Sequence, residues 1–355
     1  MIRVGALVPL TSPGWAEAGE HLLAGIKLGA RWINDRRGPH QEPVELLVRD
    51  TAGDASRAVA IVDELAAEGI TALAGEYHSV VASAVAKRAT ELGLPFLCSS
   101  AVLDNLTDMP TNVVARLAPA QSRGWRVFAD YLLEAGHRRI AVARQPSAYW
   151  EAGSEILNSH LASHGAELGV FELNSLSPDE LSKALATDGA TAVLILAGYP
   201  EPAASVAKAV RNAAGLEDIL IGTPAGQAEF AEWAASLGQN GMGIPFLSYL
   251  PPELPPLGQE IQDSLRAHLN CQPSFVALEG FDTILALVDA LDRREVRDPE
   301  LWAGVDIHGT RGRITFSKVP GINVWQWAWP PIAVVERDRD DGGRLRMVFE
   351  PENEL

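Results

Sequence analysis

The sequence predicts an α/β fold built as two doubly wound lobes, each a mainly parallel sheet flanked by helices. Three observations carry this expectation. Short apolar runs alternate with helix-period stretches, the pattern of parallel strands joined by crossover helices. The alternation runs once to about Pro119 and then restarts. Finally, 355 residues exceed what one hydrophobic core usually spans.

In the first set, Ile2 to Val8 and Val44 to Val48 read as strands. The stretch from Gly19 to Asn34 carries a helical stripe of Leu22, Leu23, Ile26, Ala30 and Ile33. That from Ala55 to Glu68 carries one of Ala58, Ile61, Val62 and Leu65. A strand from Ile70 to Ala74, a helix from Val80 to Leu92 and a strand from Pro95 to Cys98 follow. In the second set, strands are expected at 139–143, 170–173, 192–197 and 219–222, with helices at 124–135, 152–164, 178–187 and 203–214. The proline-rich run Pro245 to Pro256 breaks ladders and helices and reads as a return crossing. Helices at 258–270 and 274–291 then rejoin the first lobe. From Arg313 to Val335 the chain is β-like, and alternation puts Trp325, Trp327 and Trp329 on one strand face, expected in a core or lobe junction. The end, Glu336 to Leu355, is expected to fray in part. Lobe 1 is therefore assigned 1–118 plus 247–320, and lobe 2 is assigned 119–246 plus 321–355.

Composition narrows the function. The chain is 47% hydrophobic and 21% charged, ordinary for a globular protein. A formal net charge of −17 argues against nucleic-acid binding and against docking on anionic membrane. No stretch approaches the ~20 apolar residues of a membrane span, so no membrane insertion is expected. Met1 abuts the first strand without a leader pattern. A cytoplasmic protein is expected if Met1 is the true start, and the mature part of an exported, periplasmic one if it is not. The two cysteines, Cys98 and Cys271, are too few for a disulfide scaffold, and Cys98 reads as a buried thiol.

Catalytic and cofactor signatures are missing. There is no phosphate-binding loop, no dinucleotide fingerprint, no nucleophile elbow and no metal-ligand spacing among eight His and two Cys. No cofactor or metal is expected. What is present is polar and aromatic chemistry after strands, where open α/β sheets bind ligands. Ile70 to Ala74 ends at Gly75 and opens directly into Glu76, Tyr77, His78 and Ser79. Trp15 follows the first strand, with Thr11 and Ser12. Ser99, Ser100 and Ala101 follow the fourth. In the second lobe Tyr149 and Trp150, then Tyr199, then Pro224 and Gln227 stand in equivalent places. Hydroxyls and backbone N–H groups suit a carboxylate or amide, and Trp and Tyr give apolar walls with polar tips. Structural roles compete at several positions. Ser79 can be a helix N-cap, Ser99 and Ser100 can satisfy strand-end backbone, and Tyr77 and Trp15 can be loop anchors. Glu76 can pair with a cation such as Arg116, His78 can lie at the surface, and Asp50 and Asp54 read as turn and cap groups.

Taken in order, these segments resemble the type 1 periplasmic binding proteins. The branch resembled is that of the leucine/isoleucine/valine-binding proteins of ABC transporters and their amide-sensing relatives. The likeness rests on Val4-Gly5-Ala6-Leu7-Val8-Pro9-Leu10-Thr11, Gly25 to Ala30 leading to Ile33-Asn34, and Arg49-Asp50-Thr51 with Asp54. It continues through Leu73-Ala74-Gly75 with Ser79, Gly93-Leu94-Pro95-Phe96, Asp104-Asn105-Leu106-Thr107, Tyr149, Gly198-Tyr199 and Phe275 to Ala286. The resemblance implies two lobes joined by three crossings, a Venus-flytrap closing on a ligand in an interlobe cleft without catalysis. It puts Ser79, Ser100 and Ala101 at the ligand's carboxylate or amide, and Trp15, Tyr77, Tyr149, Tyr199 and Phe275 at the cleft walls. There are departures. Val102 stands where amino-acid binders place a hydroxyl, Pro224 stands where they place an acid for the ammonium group, and His78 leaves the family's first-lobe disulfide unmatched. Either Glu76 supplies the missing charge or the ligand lacks an ammonium.

The leading expectation is a non-catalytic receptor that binds a small amino-acid-like, carboxylate or amide ligand and supplies an ABC-transporter permease. A cytoplasmic sensor acting on a regulatory protein is the second reading. A hydrolase using Ser79 is the third.

Overall fold

The computed structural model describes residues 1–293, 296, 298–340 and 344–351. The chain divides into two compact units, Met1–Ala120 with Leu250–Pro331, and Gln121–Tyr249 with Ile332–Leu355. It passes from one to the other after Ala120, Tyr249 and Pro331.

The first unit begins with β1 (Ile2–Val8), α1 (Ala16–Asn34), β2 (Val44–Asp50), α2 (Ala55–Ala67), β3 (Ala72–Gly75), α3 (Ser79–Leu92), β4 (Phe96–Cys98) and β5 (Val114–Arg116). The second unit supplies α4 (Gln121–Glu134), β6 (Arg139–Arg144), α5 (Ala148–Ser163), β7 (Glu167–Glu172), α6 (Pro178–Asp188), β8 (Ala192–Leu196), α7 (Ala203–Asn212), β9 (Leu220–Gly222), α8 (Ala231–Leu237) and β10 (Phe246–Ser248). The first unit resumes with α9 (Pro256–Leu269), α10 (Phe275–Arg293), β11 (Asp306–Gly309), β12 (Gly312–Lys318) and β13 (Trp325–Trp327). The second is completed by β14 (Ala333–Arg337) and β15 (Leu345–Phe349).

In the first unit the sheet order is β11-β12-β13-β5-β4-β3-β1-β2, parallel from β13 to β2. Leu7, Leu47, Leu73 and Phe96 pack with the inward residues of α2 and α3. A second cluster joins α1, α9 and α10 through Ala24, Ile261, Leu265, Ala277 and Phe281. Helices α1 and α10 cross at contact distance because both carry glycine at the crossing. A Cβ on Gly25 would lie 1.9 Å from the Ala277 carbonyl oxygen, and one on Gly280 would lie 2.4 Å from that of Leu22. Helix α10 also carries buried charge. Glu279 and Asp282 hold Arg311 at 3.0 and 3.1 Å, and Arg311 stacks 4.9 Å above the Trp327 ring. Buried charges persist when paired in this way.

The second unit has a parallel sheet, β7-β6-β8-β9, and a three-stranded antiparallel sheet, β10-β14-β15. One core gathers β6, β8 and β9 with α6, α7 and α8, including Trp233, Leu237 and Phe246. Trp125 of α4 fits against Gly153 of α5, where a Cβ would come within 2.0 Å of its ring.

Several sequence expectations are corrected. Residues 247–249 belong to the second unit rather than the first, because β10 pairs with β14; Pro245 only precedes that strand, where no ladder bond is lost. Residues 321–331 belong to the first unit rather than the second, because β13 pairs in parallel with β5. The three tryptophans do not share one environment. Trp325 and Trp327 are buried, while Trp329 is 62% exposed, since the chain leaves the ladder before Pro330 and Pro331. The tail expected to fray instead contributes β15, paired with β14; residues 352–355 lie outside the described residues. Cys98 is a buried free thiol, as its apolar surroundings suggested. No described helix is long and apolar enough to cross a membrane.

Candidate functional site

Sheet topology selects the place where a ligand can approach. From β1 the chain moves to β2 on one side and then to β3 on the other, so the order reverses between β1 and β3. Loops at such a reversal diverge and leave a crevice at the carboxyl ends of the strands. The loops there are 9–15 and 76–78, which carry Trp15, Glu76, Tyr77 and His78. The second unit has the same reversal between β6 and β8. Tyr199 lies in the loop after β8 and Tyr149 in the first turn of α5, and the two loops are tied by Gly198 N–H donating to Gln145 Oε1 at 2.8 Å.

In the first unit Gly75 ends β3 at φ +114°, pressed so closely on β1 that a Cβ would meet the Leu7 carbonyl oxygen at 2.3 Å. Glu76 follows at φ +64°, a left-handed conformation that costs a non-glycine residue free energy. Its carboxylate offsets that cost locally. Oε1 accepts from the Tyr77 and His78 amides at 2.9 and 3.0 Å, and Oε2 accepts from the Thr51 hydroxyl at 2.8 Å. Glu76 is fully buried, and burial pushes its carboxyl up to about 7 against those three donors. Glu76 therefore braces the loop, and its expected role as a ligand contact is corrected: both oxygens already have partners. It does not pair with Arg116, which donates to the carbonyls of Val102 and Leu103 and to Gln326 Oε1.

His78, Tyr77 and Trp15 come together as expected. The Trp15 amide donates to His78 Nε2 at 3.1 Å, joining the β1 and β3 loops. Trp15 and Tyr77 pack edge to face at 5.7 Å, as do Tyr77 and His78 at 5.3 Å. Burial lowers the His78 pKa to about 4, so its ring is neutral at pH 7. Ser79 opens α3 rather than capping it; His78 holds the cap position and makes no side-chain cap bond. Ser79 Oγ instead accepts from the amides of Val102 and Leu103, both at 3.3 Å. Two accepted bonds occupy its lone pairs and leave its own O–H to donate. The first amides of α3 add the positive end of the helix dipole.

The remaining first-unit candidates turn inward. Ser99 shares a hydrogen bond with Thr283 Oγ1 at 2.8 Å and is fully buried, so its expected contact role is corrected to tying β4 onto α10. Ser100 is buried near the Glu279 carboxyl, which it and Arg311 hold down while burial raises it to about 7. Ala101 and Phe275 are buried, with Phe275 opening α10. Asp50 and Asp54 take the turn and cap roles read from the sequence: Asp50 accepts from Leu10 N and Ala52 N, and Asp54 accepts from Arg57 N.

In the second unit Tyr149 and Trp150 sit 4.6 Å apart and both flank Trp125. Burial raises the Tyr149 phenol, and its carbonyl accepts from Gln121 Nε2. Trp150 is 5% exposed and packs as core. Tyr199 lies 5.1 Å from the Trp233 ring, with its hydroxyl 3.1 Å from Ser236 Oγ. Gln227 lies in a short helical turn after the buried Thr223 and Pro224. Sequence reasoning named Thr51 only within Arg49-Asp50-Thr51 and gave no role to Thr283, Trp125 or Gln121. Thr51 alone gave a signal, standing beside Asp50 at the end of a strand.

A family model described as periplasmic binding protein matches residues 1–301. A Leu/Ile/Val-binding protein homolog of Brucella melitensis is 22% identical over 342 residues, covering 92% of this chain and 91% of that one. A leucine binding protein from Thermotoga maritima superposes with a TM-score of 0.83 at 18% identity over 100% of both chains. A solute binding protein of an ABC transporter from R. palustris, in complex with benzoate, gives 0.78 at 19% identity over 98% of this chain and 96% of that one.

Proposed function

The chain belongs to the periplasmic binding protein family, and on that premise we propose that it is a non-catalytic receptor for a small carboxylate or amide. The observation that carries this reading is Ser79. Its oxygen is fixed by two backbone amides, its O–H remains to donate, and it stands at an uncapped helix N-terminus beside aromatic walls. That combination favours a negatively charged or carbonyl oxygen. The relatives' names include leucine binding and a benzoate complex, and both ligands carry a carboxylate. A non-catalytic reading is supported by His78, whose Nε2 accepts from the Trp15 amide and so is not placed as a base for the Ser79 hydroxyl.

Within this proposal the receptor acts outside the cytoplasm and delivers ligand to an ABC-transporter permease. The ligand stabilises a liganded conformation that the permease reads, by as much as it binds that conformation better than the unliganded one. Native mass spectrometry of freshly purified protein, followed by calorimetric titration with whatever co-purifies, tests the reading. A co-purifying acid or amide whose affinity falls in Ser79→Ala supports it. Hydrolysis of an ester or amide panel that disappears in Ser79→Ala would replace it with an enzyme.

A further inference from the structure

We propose that Arg116 is a positioning residue for the ligand site: its buried positive charge, relayed through the peptide between Val102 and Leu103, makes the group at position 79 a stronger hydrogen-bond donor. The proposal rests on the receptor reading above only in taking Ser79 as a donor to the ligand. The path is continuous. Arg116 Nη1 donates to the Val102 carbonyl at 3.0 Å and to that of Leu103 at 2.6 Å. The N–H of the same Val102–Leu103 peptide belongs to Leu103 and donates to Ser79 Oγ at 3.3 Å. One rigid peptide dipole therefore has its negative end on the guanidinium and its positive end on Ser79. Hydrogen bonds in series polarise one another, most of all in a low-dielectric interior. Arg116 is locked in this pose. Its Nε donates to Gln326 Oε1 at 2.8 Å, and Gln326 Nε2 donates to the Ala118 carbonyl at 2.7 Å.

A loop brace needs no charge, and a buried charge is costly unless it is paired. The protein shows the paired arrangement elsewhere: Arg311, also buried, lies between Glu279 and Asp282. Arg116 is fully buried in β5, and among the described residues no carboxylate forms an ion pair with it and its Nη2 has no partner. Cys98 and Asp104 act on it through space, but Cys98 is a neutral thiol, pushed up by burial to about 12. Burial pulls the Arg116 pKa down to about 10, which leaves the group charged at pH 7. From Nη1 to Ser79 Oγ is no more than about 9 Å along the peptide path. At an effective dielectric constant of about 20, a unit charge at that distance shifts an ionisable group by about one pKa unit. The half-buried Ser79 is thus where this charge reaches a side chain that a ligand can meet.

The test is Ser79→Cys, whose thiol pKa reads the field at that position without any ligand. Alkylation of the full chain carrying Ser79→Cys and Cys271→Ser by iodoacetamide is followed against pH, with melting temperatures recorded in parallel; Cys98 is fully buried and does not compete. With Arg116 intact the new thiol is expected to titrate below the ordinary value of about 8.5. Arg116→Gln removes the charge, and Gln326→Glu cancels it while leaving Arg116 its bonds to both carbonyls. Each is expected to raise the thiol pKa by about one unit. Arg116→Lys keeps a charge and is expected to restore at least about half of that shift, which a merely structural role for the guanidinium would not do. A starting pKa at or above about 8.5, or no rise in whichever of the two charge variants folds, overturns the proposal. Neither result touches the receptor reading, which stands or falls on the co-purified ligand.

Discussion

Glu76→Gln is expected to make the protein more stable above pH 7 and to flatten its stability profile below it. The wild-type carboxyl is pushed by burial from its ordinary 4.5 up to about 7. A carboxyl whose folded pKa lies above its unfolded one binds more protons in the native state. Its contribution to stability is therefore fully present below about pH 4.5 and is lost as pH rises through about 7. At about 1.36 kcal/mol for each tenfold change in proton affinity, the loss across that window is about 3 kcal/mol. Glutamine avoids it without breaking the bonds. Its Oε1 still accepts from the Tyr77 and His78 amides, and its amide nitrogen faces the Thr51 hydroxyl, which turns from donor to acceptor. Glu279, also raised to about 7, titrates in both proteins and cancels in the comparison. Urea unfolding of wild type and variant from about pH 4.5 to about pH 8 measures the difference. The gap should widen in favour of the variant by about 3 kcal/mol. Parallel profiles, or a variant weaker at every pH, would refute the account of Glu76 as a buried brace that loses stability on ionising.

Other expectations follow from the same geometry. Ser79→Ala removes a donor and an acceptor for two amides; titration with benzoate should show a loss of about 1–3 kcal/mol, whereas a lowered melting temperature with unchanged affinity would leave Ser79 only a loop tie. Gly25→Ala forces a Cβ to 1.9 Å from the Ala277 carbonyl oxygen, so denaturant unfolding should show a loss of about 1–3 kcal/mol or more as α1 and α10 move apart. Trp327→Ala empties a buried site under Arg311 and should cost about 3–5 kcal/mol, while Trp329→Ser, at an exposed position, should stay within about 0.5 kcal/mol in the same assay.

The sequence showed the elements of the site better than their roles. Strand 3, the glycine that ends it and the helix that follows are local, because apolar runs, turn residues and helical periodicity each act over a few positions. That Trp15, Tyr77, His78 and Ser79 stand near one another follows from strands 1 and 3 having loops on the same edge. Whether each side chain faces inward or outward is not local. Glu76 and Ser79 both read as polar residues after a strand, yet one is enclosed by Thr51 and two amides and the other keeps a donor. The segment from Arg313 to Trp329 shows the same limit. Its alternation was legible, but its partner strand, β5, is about 210 residues away in sequence, and two prolines decided that Trp329 would leave the ladder.

Sequence alone thus determined the class of fold, the repetition into two α/β sets, the lack of catalytic signatures and the polar burst from Gly75 to Ser79. These rest on composition and on periodicities of two and 3.6 residues, which each segment carries within itself. Only the tertiary structure decided which donors remain for a ligand. A hydrogen-bonding group is spent or available according to what long-range packing brings beside it, and the partners that set Glu76, His78 and Ser79 apart come from loops tens of residues away.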